Sequence, residues 1–205
     1  MKINAGKDYF SFTKNHPTKM SMGGLATAVH KYIKKTAVKV QENSEVDEFL
    51  IVRLEHVKPA LNKVSIYGQQ EGRNGREGRE DILKSWERIK KELLLIQRRG
   101  EAVVICGDLN RAVGADELGV RGNKERVSYG GRLVRELLAD GEYVLLNNLQ
   151  QAQGGPWTRV DPADGNVSCL DLAIVSVNIL PCVVGFIVDS ERKFTPRRVS
   201  YKKKG

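Results

Sequence analysis

An α+β fold, with a mixed sheet or paired sheets carrying helices on the outside, is what this sequence predicts. Three observations lead there. Short runs of strand formers outnumber the helical segments, the helical segments lie between those runs, and hydrophobic residues make up 40% of 205 positions. The first two point to layers of sheet and helix. The third is ordinary for a chain with a packed core. Wholesale disorder, collagen and a disulfide-stapled miniprotein are excluded. No break in composition suggests two domains, so 1–198 is expected as a single domain and 199–205 as a basic tail.

Residues 25–33 (LATAVHKYI) follow Gly23-Gly24 and read as a strand. Residues 48–55 (EFLIVRLE) and 63–67 (KVSIY) read as two more, joined by the turn-prone stretch 58–62. Residues 72–80 place a glycine at every third position, too few triplets for collagen, and read as a mobile polar loop. The period then changes. Ile82, Trp86, Ile89, Leu93 and Ile96 fall at steps of four and three, one apolar stripe on a helix. Arg98 and Arg99 suit its C-terminal end, and Gly100 a left-handed cap. Residues 103–106 (VVIC) form a short apolar run, expected to be a strand covered on both faces. A second helix is expected over 131–139, with Leu133, Leu137 and Leu138 on one face. Strands at 143–146, 157–158, 169–175 and 182–188 complete the set.

The formal charge of +9 is concentrated at the ends. Residues 1–40 carry eight lysines against Asp8, residues 192–204 carry seven basic side chains and no acid, and 41–191 is net acidic. This fits phosphate-tracking flanks around a carboxylate-bearing metal site, or solvated tails, rather than a basic groove built into the core. Cys106, Cys169 and Cys182 lack zinc-site spacing and read as small buried hydrophobes in a reducing compartment. No secretory signal heads the chain. The apolar stretch 170–188 is broken by Asp171, Ser176, Asn178 and Pro181, so two strands around a turn are expected, not a membrane span. A soluble intracellular protein follows.

The sharpest local feature is Gly107-Asp108-Leu109-Asn110, directly after the apolar run. An acid leaving a strand end is held firmly and still reaches solvent. Asp-x-Asn on an extended segment puts a carboxylate and an amide on one side. The first can ligand a hard cation or deprotonate water, and the second can donate to a phosphate oxygen. An Asx-turn is the bland reading of the same residues. An EF-hand starting at Asp108 fails at Ala112, Val113 and Gly119, and no P-loop exists.

Upstream lies a strand ending in Tyr67-Gly68. Downstream lie Pro156-Trp157-Thr158 and Ser168-Cys169-Leu170-Asp171, the latter opening a strand that ends in Ser176. Strand-Tyr-Gly, strand-G-D-x-N, W-T and S-x-L-D-strand-S, in that order, resemble the endonuclease/exonuclease/phosphatase superfamily, and above all the endonuclease domains of non-LTR retrotransposons. The resemblance covers 23–198.

It implies a two-sheet β-sandwich flanked by helices, in four layers α/β/β/α. It also implies a metal-dependent phosphodiesterase that cuts DNA with Mg²⁺ or Mn²⁺, acting in the nucleus without membrane or small-molecule cofactor. A reverse transcriptase domain is implied in the parent polyprotein. Position by position, Asp108 is implied to activate the attacking water and to be a metal ligand, Asn110 to orient the scissile phosphate, and Tyr67 to contact phosphate. Asp171 is implied to hold a catalytic histidine in its tautomer. Trp157, Thr158 and Arg111 are implied to bind substrate.

The family's opening strands, one with an asparagine and one with a metal-binding glutamate, are not visible in residues 1–22. Its closing Ser/Thr-Asp-His strand is not reached at Tyr201–Gly205. His16, His30 and His56 read as structural or exposed. The chain is therefore expected to be clipped at both ends, lacking N- and C-terminal strands. Two further functions stay open: an inactive remnant that binds nucleic acid through its basic ends, and a small-molecule phosphatase on the same fold.

Overall fold

The computed structural model describes residues 8–15, 24–34, 37–39, 49–55, 57–69, 71, 78–114, 127–149, 152–154, 158–160 and 167–188. Its centre is a six-stranded mixed sheet in the order β3-β4-β5-β6-β11-β7. The strands are β3 (Ala37–Lys39), β4 (Phe49–Leu54), β5 (Leu61–Tyr67), β6 (Ala102–Asp108), β7 (Tyr143–Leu145) and β11 (Asp171–Ser176). Only β5 and β6 run parallel, and they are linked through helix α2 (Arg79–Arg98). A parallel pair needs such a long crossover.

One face of this sheet lies under α2 and α3 (Tyr129–Ala139). The stripe Ile82, Trp86, Ile89, Leu93 and Ile96 is buried in full, as its spacing requires. It packs with Leu133, Val134 and Leu137 of α3 against Phe49, Ile51, Val64, Ile66, Val103, Ile105, Leu172 and Ile174. Each aliphatic side chain so buried contributes on the order of 2 kcal/mol. Gly100 takes the left-handed φ of 67° that closes α2, its N–H bonding the Gln97 carbonyl at 2.8 Å. Ser128 caps α3, its hydroxyl accepting from the Gly131 N–H at 2.9 Å.

The opposite face carries a second β layer in two parts. The antiparallel hairpin β1 (Tyr9–Asn15) and β2 (Gly24–His30) lies over β4 and β5, with Val29 packed among Leu50, Val52 and Leu54. Thr27 and Ser65 share a buried hydroxyl–hydroxyl bond of 2.8 Å between the layers. The parallel pair β8 (Ala152–Gly154) and β12 (Phe186–Val188), with the 3-10 turns Leu146–Asn148 and Val177–Cys182, belongs to the other half, where Phe186, Ile179 and Leu180 pack on Val104, Cys106, Ala173 and Val175. A groove of about 800 Å³ is left over β5 and β6, with Leu25 and Val29 on one wall and Ser65, Val104 and Cys106 on its floor. The short pair β9 (Arg159–Val160) and β10 (Val167–Ser168) precedes β11. The architecture is thus α+β, with β-sheets flanked by helices. No helix among the described residues is long and apolar enough to cross a membrane.

Several expectations are corrected. The strand expected over 25–33 stops at His30, because Lys31–Lys34 turns into a short helix, α1. The segment 58–62 gives its last two residues to β5. The strand expected over 182–188 begins only at Phe186, since Cys182 closes a 3-10 turn. Strand β6 is not equally covered on both faces: Val103 and Ile105 are buried under the helices, while Val104 and Cys106 are only half-buried at the groove. Of the cysteines, Cys169 is buried, Cys106 half-buried and Cys182 exposed. Strands β1, β3, β8, β9 and β10 go beyond the expected set; of the strand expected over 157–158, Thr158 lies just before β9 and Trp157 lies outside the described residues. The glycine-spaced stretch lies, from 72 to 77, outside the described residues.

Candidate active site

Three adjacent strands end together. In the parallel β5–β6 pair Tyr67 is the register partner of Asp108, and in the antiparallel β6–β11 pair Asp108 is the partner of Asp171. Such partners sit about 5 Å apart at Cα. Side chains alternate along a strand. Ile66, Ile105 and Leu172 belong to the core under the helices. Tyr67, Asp108 and Asp171 therefore lie on the other face, in one row across three strands, where Tyr67 and Asp108 also line the groove. Tyr67 is 45% exposed, Asp171 is exposed and Asp108 is half-buried. Two carboxylates and a phenol thus converge on solvent from the rigid centre of the sheet.

The turn after β6 is held by close backbone approaches. A Cβ on Gly107, whose φ is +149°, would run into the Ile66 carbonyl oxygen, and one on Gly68 into that of Leu109. Only glycine lets the chains after β5 and β6 meet here. The Gly68 N–H donates to the Asp108 carbonyl at 2.8 Å, and the Leu109 N–H to the Leu170 carbonyl at 2.9 Å. Leu109 itself is buried in the core.

Asn110 is not on an extended segment. It takes a left-handed φ of 48°, a conformation that Asn tolerates. Its N–H returns to Asp108 Oδ1 at 3.0 Å, and its Nδ2 donates to the Gly68 carbonyl at 2.7 Å. The Asx-turn thus also holds Asn110 beside the Asp108 carboxylate. The same bonds that fold the turn fix the Asp108 carboxylate and tie Asn110 to the segment after Tyr67.

Arg111, expected among the substrate-binding residues, is only 4% exposed. Its guanidinium donates to the carbonyls of Gln69 and, at 3.5 Å, Asn110. Gly130 at the start of α3 lies directly against its side chain. A residue so enclosed acts from beneath the site, clamping 69 to 110. Glu71 adds a link, accepting from the Gly130 N–H at 2.8 Å.

Thr158 also works from behind. Its Oγ1 accepts from the N–H groups of Leu170 and Asp171 at 3.0 and 3.1 Å, which fixes the entry to β11. Trp157 lies outside the described residues, as do His16 and His56. Sequence reasoning missed Asn147, whose side-chain amide bonds the Asp171 carbonyl and the Ala173 N–H. The signal for it, an Asn pair ending a short strand, is faint. Beside it, burial and then the nearby Asp171 charge push the Cys169 thiol up to about 11, so it stays protonated at neutral pH.

Among the described residues no group of three His, Cys, Asp or Glu side chains gathers to enclose a metal. The Asp108–Asp171 pair nevertheless fits a hard divalent ion of the Mg²⁺ type. Such ions take one or two carboxylates and complete their shell with water and substrate phosphate oxygens.

A profile of the Endonuclease/Exonuclease/phosphatase family matches residues 2–193. Among solved structures, the catalytic domain of Xenopus laevis APE2 is similar at 14% identity, with a TM-score of 0.62 over 88% of this chain and 73% of that one. A mannosyl-6-phosphatase of Bacteroides thetaiotaomicron matches at 11% identity and TM-score 0.49, over 83% of this chain and 64% of that one. Truncated Caenorhabditis elegans TDP2 matches at 15% identity and TM-score 0.46, over 82% and 61%. The chain thus spans under two thirds of the last two. Among curated proteins no sequence matches.

Proposed function

The chain belongs to the endonuclease/exonuclease/phosphatase family, and from that premise we propose that it is a divalent-metal-dependent phosphodiesterase that nicks DNA, in the manner of a non-LTR retrotransposon endonuclease. The observation that carries the reading is the Tyr67–Asp108–Asp171 row on the groove face of three paired strands. Water attacks phosphorus in line. A bond forms from the water oxygen to phosphorus as the bond to the leaving sugar oxygen breaks. The water proton passes to the Asp108 carboxylate, and the leaving oxygen is protonated from solvent.

Asn110 and Tyr67 donate to the non-bridging oxygens, preorganised by the turn that holds them. Mg²⁺ or Mn²⁺, when bound, offsets phosphoryl charge beside Asp108. Asp171, the register partner of Asp108, would share the ion with it. Thr158 and Arg111 keep these groups in place. The same reading takes 1–198 as one domain, DNA as the partner in the nucleus, and a reverse transcriptase domain as its neighbour in a parent polyprotein. DNA is favoured over a small phosphate ester by the two strongly basic ends of the chain.

Supercoiled plasmid nicking with Mg²⁺ tests it. Nicking should fall about a thousandfold or more in Asp108→Ala, since the proton acceptor is lost. Equal rates in both proteins would reject Asp108 as the base. A second reading, a non-catalytic nucleic-acid binder, draws on the pairing of two carboxylates without a third among the described residues. It predicts no nicking by the unaltered chain and salt-sensitive binding that disappears when 192–205 is deleted.

A further inference from the structure

Strand β7 is too short for its partner. It pairs with residues 174–176 of β11 and ends at Leu145, so among the described residues no strand pairs with the edge of β11 at residues 171–173 on that side. There the chain turns through Leu146–Asn148, and the Asn147 side chain takes the vacant place. Its Nδ2 donates to the Asp171 carbonyl at 3.2 Å, and its Oδ1 accepts from the Ala173 N–H at 2.9 Å. Those two groups lie on the same edge of an extended strand, so the side-chain amide makes the bonds that the Leu146 carbonyl and the Asn148 N–H would make if β7 continued in register. The same Nδ2 reaches Cys169 Sγ at 3.5 Å. Both Nδ2 donations and the Oδ1 acceptance fall within residues 169–173, at the entry to β11.

We propose that Asn147 is a positioning residue for Asp171. It stands in for the next rung of the sheet edge, holding the Asp171 carbonyl while Thr158 holds the N–H. Gripped on both sides, Asp171 cannot fray from the end of β11, and its carboxylate stays beside Asp108. The assignment deepens the phosphodiesterase reading and rests on it for its catalytic consequence. The clamp itself does not.

The test uses the full chain and four variants: Asn147→Ala, Asp171→Ala, the two combined, and Asn147→Asp. In Asn147→Ala, exchange of the Ala173 amide should quicken about tenfold or more, the loss of one hydrogen bond, while Ile105 in the sheet centre changes less than about twofold. Plasmid nicking should lose about tenfold in kcat with KM within about twofold. In an Asp171→Ala background the same change should cost less than about twofold, because both act through one group. An equal loss with and without Asp171, or full protection of Ala173, overturns the proposal. Asn147→Asp, of the same size, keeps the acceptor and loses the donor. It should leave Ala173 protected and lower kcat about fivefold, and unchanged kcat would reject the Asp171 half of the clamp. No nicking by the unaltered chain would sink the phosphodiesterase reading, and Ala173 exchange would then decide the clamp alone.

Discussion

Glu101 stands just before β6, at the end of the sheet opposite Asp108, and only 7% of it is exposed. It accepts from Arg53 Nη2 at 2.6 Å, Asn62 Nδ2 at 3.0 Å and Arg99 Nη2 at 3.1 Å. Burial alone would push its carboxyl up, but these charge-assisted bonds outweigh burial and hold it at about 2, against an ordinary 4.5. A carboxyl depressed in the folded state stabilises the fold at pH above its unfolded value. That stability disappears as pH falls from 4.5 toward 2. Replacing Glu101 with Gln should cost on the order of 2 kcal/mol at pH 7 and flatten stability across that window. Urea unfolding at pH 7, 4, 3 and 2 reads this directly, and parallel pH profiles for the two proteins would contradict it. In the sequence Glu101 is one acid among many. Its three partners come from 2 to 48 residues away, and only strand pairing collects them.

Helices α2 and α3 stand on different footings. The apolar stripe of α2 was legible because 3.6-residue periodicity over about four turns leaves few alternatives. Helix α3 begins two residues before the expected 131, since Ser128 is a better N-cap than anything after it. The Ser128 hydroxyl also accepts from the Ala112 N–H at 3.2 Å, so one oxygen caps α3 and fastens the chain that follows the G-D-L-N turn. Ser128→Ala should therefore lower stability by about 1–2 kcal/mol, the upper range for a cap, and thermal unfolding measures it. A change in Tm too small for half of that would leave the second bond without value. Strands β1 and β3 were not legible. β1 alternates weakly among Lys, Ser and Thr, and three-residue β3 exists only by pairing with β4. Such strands depend on neighbours more than on local pattern.

At the scale of the whole molecule, the residues of the candidate site were legible one by one, but their convergence was not. Tyr67, Asp108 and Asp171 stand 41 and 63 positions apart in the chain, and nothing local encodes that they share a row. Register does, through the parallel β5–β6 and antiparallel β6–β11 pairings. Gly68 and Gly107 meet the backbones of Leu109 and Ile66, an approach that no local pattern announces. Arg111, a substrate ligand by resemblance alone, is buried against the start of α3 and belongs to the scaffold. Since the row spans three central strands under one core, loss of nicking in urea should coincide with loss of the fluorescence of buried Trp86, within about 0.3 M at the midpoint. Activity vanishing well before the fluorescence would mean that the site opens on its own. Side-chain orientation repeats every two residues, so a slip of β11 by one place would turn Asp171 toward the helices and bring Leu172 to the groove. Phasing errors between those strands are therefore silent in composition yet fatal to chemistry, and a misaligned copy would be compact, folded and inert.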